Sequence, residues 1–156
     1  PGLRVTLFDL PPVVAAAATR LAGQPGADRV QTAAGSFRDD PLPAGPDAAS
    51  LIRVLYDHED DTVRALLAKV RAALPPRGRV IVSEPMSGGD RPDPAGDVYF
   101  AFYCMAMRTG TVRSQARVAN LLRESGFDAI AAPRSARPFV TSVVTAQVST
   151  TTDKLG

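Results

Sequence analysis

The heptapeptide LYDHEDD, residues 55–61, holds the chain's single histidine, His58, with Tyr56 nearby and four carboxylates around it. It continues directly from the apolar run LIRVL. An imidazole titrates near pH 6.5 and a phenol near 10, so at neutral pH His58 is the better proton acceptor of the two. Another acid, Glu84, closes a second apolar run, RVIVSE. An imidazole held at such a place can serve as a general base. The plainer alternative makes His58 a solvated residue at a helix start and Glu84 a strand-end acid paired with Arg79 or Arg53.

These side chains need elements to position them. LRVTLF (3–8) is β-branched and apolar and stops at DLPP, which predicts a buried strand ending at Asp9. PPVVAAAATRLAGQPG (11–26) has proline in its first turn and Gly/Pro at its end, the pattern of a helix. Strands are expected at 28–34 and 47–55, with a loop between them. The clearest helix follows, because Val63, Leu66, Leu67, Val70 and Leu74 recur at spacings of three and four. RVIVSEP (79–85) reads as a fourth strand. After a Gly/Pro/Asp-rich loop, helices are expected over 96–108 and 114–125, the second closed by Gly126. Strands at 127–133 and 139–149 complete the chain, the last alternating and so antiparallel at or near an edge. The order predicts an α/β sandwich with a mostly parallel sheet.

Composition narrows the partners. The 156 residues are enough for one domain, and 45% hydrophobic with 22% charged residues is the balance of a globular protein. Eighteen basic against sixteen acidic side chains leave a formal charge of +2 and no basic stripe, which argues against nucleic acid. One cysteine, Cys104, and no signal-like start predict a cytoplasmic protein. The longest apolar run, 98–107, is about half of a membrane span, so none is expected. No metal-ligand spacing stands out, and residues 150–156 read as a tail.

In open α/β sheets ligands sit beyond the carboxyl ends of the strands, so Asp9, residues 35–37, residues 56–58 and Glu84 are the candidates. Asp9 is placed either to accept ribose hydroxyls of a nucleotide or to cap the helix that starts at Pro11.

LRVTLFDLPPVV, DRVQTAAGSF, LIRVLYDHEDDTVRALLAKVRAAL, GRVIVSEP and RSQARVANLLRESGF, in this order, resemble the catalytic domain of the S-adenosylmethionine-dependent small-molecule O-methyltransferases. That family includes caffeate, flavonoid, polyketide and hydroxyindole methylases. RVLYDHEDD resembles the carotenoid branch, whose members methylate hydroxyneurosporene or demethylspheroidene. The resemblance implies a Rossmann-like methyltransferase fold, S-adenosylmethionine as cofactor, and a small apolar acceptor, a hydroxylated carotenoid in the narrower reading. It implies that residues 1–149 are a catalytic domain lacking its first strand and glycine-rich loop, and that the isolated piece is inactive. A homodimer through a missing amino-terminal domain is expected with it.

The same resemblance distributes roles. Tyr56 stands where the family's catalytic histidine stands, and His58 where its tryptophan does, so the base is either His58 or Tyr56. Glu84 occupies the place of the carboxylate that steers the base, while Val112 replaces a further family acid. Asp9, Ser36, Phe37 and Arg53 are implied for the cofactor. Phe102, Met105 and Met107 are implied for the acceptor, since aromatic and methionine side chains suit a polyene. A helix so apolar also fits burial against a partner. Two other functions remain open: a nicotinamide-dependent oxidoreductase, which would share the acid after the strand, and a non-catalytic or dimerisation module retaining the fold.

Overall fold

Parallel strands need a crossover to join them, and among the described residues one helix joins each of two parallel pairs. A computed structural model describes residues 2–134 and 141–150. It falls into two units, Pro1–Ala44 and Gly45–Gly156.

In the first unit, β1 (Val5–Asp9) pairs in parallel with β2 (Val30–Ala34), setting Asp9 opposite Ala34. Between them runs α1 (Pro11–Leu21), with proline at its start. The helix stops five residues before the expected end. Gly23 and Gly26 both take positive φ, at 76° and 86°, and turn the chain out of it. A 3-10 turn, Ala27–Arg29, then takes the first two residues of the strand expected over 28–34, so β2 starts at Val30. The strand ending at Asp9 forms as expected but is not buried, since Val5 is 43% exposed.

The second unit holds a four-stranded sheet in the order β3-β4-β6-β5: β3 (Ala48–Ile52), β4 (Arg79–Glu84), β5 (Phe127–Ala131) and β6 (Ser142–Val148). β3 and β4 are parallel, joined by α2 (Asp60–Ala73). β6 runs antiparallel to both β4 and β5, one place in from the β5 edge. The first two residues of the strand expected over 139–149, and the tail from 151, lie outside the described residues. α2 buries Val63, Leu66, Leu67 and Val70, the stripe predicted from spacing. Each such side chain contributes about 1.5–3 kcal/mol on burial. Ser114 caps α4 (Gln115–Glu124) by accepting from the Arg117 amide at 3.2 Å, and Gly126 follows at φ 81°.

Two local departures shape the functional edge. β3 ends at Ile52, three residues before the expected boundary, because Arg53 adopts a left-handed φ of 56° and Leu55–Asp57 form a 3-10 turn. The helix expected over 96–108 opens as a π-helical segment, Pro94–Phe100, before becoming α3 (Ala101–Met107). Such π segments are found frequently at functional sites.

Candidate active site

Because β3 and β4 are parallel, their carboxyl ends lie at one edge, which brings Glu84 against the turn that follows Ile52. The Arg53 amide makes the last ladder bond, to the Ser83 carbonyl at 2.9 Å. Beyond it, Glu84 replaces the sheet. Its Oε2 accepts from the amides of Leu55 at 2.9 Å and Tyr56 at 3.3 Å. Glu84 is completely buried, and its Oε1 has no hydrogen-bond partner. Burial pushes its carboxyl up to about 7, while the two amides and the charge of Arg113 pull the other way. The expected steering carboxylate thus grips the backbone of the turn. The acid electrostatically linked to His58 is Asp57, raised by burial and drawn back by His58 and Arg53.

Tyr56 is 3% exposed and packs edge-on against Phe100, with ring centroids 6.1 Å apart, and tilted against Tyr103 at 5.8 Å. Arg53 donates from Nη2 to the Tyr56 hydroxyl at 3.3 Å and lies over both the Tyr56 and Phe100 rings. That hydrogen bond holds the guanidinium in its charged form above its ordinary range. The resemblance implies Arg53 for the cofactor and Tyr56 as one of two candidate bases; the structure joins the two side chains. The Tyr103 phenol is pushed up by the charge of Asp57 and by Tyr56. Tyr103 and Phe100 were missed from sequence because a uniformly apolar run does not reveal which face meets Tyr56.

The carbonyl side of the turn is held by the segment after α3. Tyr56 O accepts from the Thr111 amide at 2.9 Å and the Cys104 thiol at 3.6 Å, and Asp57 O from the Thr109 hydroxyl at 2.7 Å. Gly110 passes so close that a Cβ there would stand 2.1 Å from Tyr56 O. His58 is half-buried, with its amide on the Leu55 carbonyl at 3.1 Å. A cavity of about 420 Å³ opens beside this cluster, lined by Cys104, Met105, Val112 and Glu59 among others. Of the expected acceptor residues Met105 lines it. Phe102, Met105 and Met107 are 65%, 71% and 55% exposed.

In the first unit, Asp9 ends β1 with Oδ1 accepting from the Leu10 amide at 2.7 Å; Leu10, not Asp9, caps α1. The Gly35 amide donates to the Asp9 carbonyl at 2.9 Å. Ser36 closes a small turn, its amide on Asp40 and its hydroxyl accepting from the Arg38 amide. Phe37 is half-buried under the Arg38 guanidinium, 5.9 Å from its centroid. A carboxylate and a hydroxyl at the carboxyl end of a parallel pair are a fitting acceptor set for a ribose and an adenine amino group. Among the described residues, no group of histidine, cysteine and acidic side chains could hold a metal ion, and no helix is long and apolar enough to cross a membrane.

An O-methyltransferase domain model matches residues 1–128. The chain is 52% identical over 147 residues to demethylspheroidene O-methyltransferase of Rhodobacter capsulatus, and 56% over 146 residues to that of Cereibacter sphaeroides. Each alignment covers 94% of this chain but 36% and 38% of those proteins, so the chain spans less than two fifths of their length. The crystal structure of human N-acetylserotonin methyltransferase in complex with SAM superposes with a TM-score of 0.81 at 27% identity, covering 96% of this chain and 42% of that one. The α/β architecture is therefore the Rossmann-like one of those methyltransferases, and the chain belongs to the O-methyltransferase domain family.

Proposed function

We propose that the chain is the cofactor- and acceptor-handling part of a longer S-adenosylmethionine-dependent O-methyltransferase that methylates a hydroxyl of a carotenoid. The observation that carries this reading is the Tyr56 hydroxyl, fixed between Arg53 and two aromatic rings, in a chain more than half identical to demethylspheroidene O-methyltransferases. S-adenosylmethionine, when bound, supplies the electrophilic methyl group. Asp9 accepts the ribose hydroxyls, Ser36 bonds the adenine amino group, and Phe37 covers the base.

Arg53 and Tyr56 hold the acceptor oxygen in the second unit. His58 takes the proton as that oxygen attacks, and Glu84 keeps the 55–57 turn in place from beneath. Met105, Phe102 and Met107 offer apolar surface to the rest of the acceptor. A carotenoid tertiary alcohol is far less acidic than a phenol, so close apposition away from water serves it better than a base assisted by several acids. This accounts for Val112 at the place of a family acid. The parent enzyme is a cytoplasmic homodimer in this reading, with the dimer contacts made outside these residues.

Calorimetric titration of S-adenosylhomocysteine, followed by assay on hydroxylated carotenoids, tests the proposal in the full-length polypeptide. Binding and turnover are expected. Binding without turnover on any hydroxylated acceptor would favour the module that keeps the fold and has lost the reaction.

A further inference from the structure

Arg113 is the one basic side chain counted in the buried core among the described residues, with a residue exposure of 3%. A guanidinium out of water must find partners for its donors, and here every partner lies on or next to the catalytic turn. Nη1 donates to the Leu55 carbonyl at 2.9 Å and to the Thr111 carbonyl at 3.1 Å. Nη2 donates to the His58 carbonyl at 2.7 Å, and Nε to Asp60 Oδ1 at 2.7 Å. One planar fork therefore spans both ends of the turn, from the residue before Tyr56 to His58 itself. Glu84 holds the amides of the same turn from the other side. Thr109, Thr111 and Cys104 take the two carbonyls between.

We propose that Arg113 is a positioning residue of the methyl transfer, fixing the Tyr56 and His58 side chains by clamping the backbone on either side of them. This rests on the reading that the 55–58 turn carries the acceptor chemistry. The clamp depends on the planar geometry of the guanidinium, because a lysine ammonium is a point donor that cannot face two carbonyls and a carboxylate in fixed directions. A misplacement of about 1 Å costs on the order of a hundredfold in rate. The partners of Arg113 are Leu55, His58, Asp60 and Thr111, on and around the turn that carries Tyr56 and His58, so its effect falls on turnover and not on cofactor binding.

Arg113→Lys in the full-length enzyme separates these roles. S-adenosylhomocysteine should bind with an unchanged dissociation constant and stoichiometry, while kcat per binding site falls roughly ten- to hundredfold and KM for the acceptor moves less. Unchanged kcat per site, or an equal loss of cofactor binding and turnover, overturns the proposal. Amide hydrogen exchange, compared between the unaltered enzyme and Arg113→Lys, gives a check that needs no turnover. Amides 55–58 should exchange faster in the variant than in the unaltered enzyme, and unchanged exchange overturns the clamp. If the unaltered enzyme methylates no hydroxylated acceptor, the functional reading fails, and exchange alone decides whether Arg113 holds the turn.

Discussion

The Glu84 carboxylate accepts the Leu55 amide at 2.9 Å across 29 residues of sequence, replacing a sheet partner that the backbone of the turn no longer has. This carboxyl is raised from 4.5 to about 7 by burial. Below pH 4.5 it is protonated in folded and unfolded chains alike and contributes no pH dependence. Between 4.5 and 7 the unfolded chain ionises and the folded one keeps its proton, so stability falls as pH rises. Above 7 the full penalty stands, on the order of 3 kcal/mol. Glu84→Gln keeps an acceptor for the amides and carries no charge. Thermal unfolding of both chains between pH 5 and pH 8 should show the variant gaining on the wild type by that order, and parallel curves would rule out a carboxyl titrating in this range.

Arg53 holds its guanidinium over Tyr56 from a left-handed backbone, a conformation that costs a non-glycine residue about 1–2 kcal/mol. Strain of this kind persists only where the surrounding structure over-determines the conformation. Arg53→Gly should therefore be more stable than Arg53→Ala by about 1 kcal/mol in urea unfolding. Both should lose turnover equally, because both remove the donor to the Tyr56 hydroxyl. Glycine and alanine variants of equal stability would show that the left-handed turn carries no strain.

Tyr56→Phe removes only the hydroxyl and leaves the ring against Phe100 and Tyr103. Cofactor-analogue binding should be unchanged, and kcat should fall by about ten- to a hundredfold for loss of an orienting group. A variant with full kcat would remove the Tyr56 oxygen from the reaction.

The frame of this site was legible because apolar periodicity reports burial directly: the Val63, Leu66, Leu67, Val70 stripe and the run ending at Glu84 were both visible. What the residues do to one another was not. Arg53 at positive φ, the 3-10 turn and the π-helical entry to α3 depend on partners remote in sequence, and no local propensity encodes them. Arg113 was passed over because nothing in RSQARV marks it as buried. The signal available was the surplus of acids in LYDHEDD, which calls for cations, and Asp60 pairs with three, Arg64 on its own helix and Arg113 and Arg117 from beyond it. Glu84 was placed correctly at a strand end, but only coordinates reveal that backbone amides hold it.

Gly110 tests how closely the segment after α3 must approach the turn. Its φ is 86°, and a Cβ would meet the Tyr56 carbonyl oxygen at 2.1 Å. Gly110→Ala combines an unfavourable backbone with a steric clash against backbone that cannot swing aside, and should cost roughly 2–4 kcal/mol in urea unfolding. A loss below about 1 kcal/mol would mean that the segment is free to retreat from Tyr56.

His58 is the one imidazole in the chain, and its charge is linked to the Asp57 carboxyl beside it. If it takes the acceptor proton, activity requires the neutral ring, so kcat should rise with pH through a single ionisation and level off. His58→Ala removes that base and should lower kcat by about 10²- to 10⁴-fold while abolishing the acid limb, leaving cofactor-analogue binding intact. His58→Gln, which keeps a hydrogen-bonding side chain without a titratable group, should be as impaired as the alanine variant. Recovery by glutamine would assign His58 a hydrogen-bonding role alone. Undiminished turnover by both variants would pass the proton to Tyr56 or to solvent, and the Tyr56→Phe variant would then carry the larger loss.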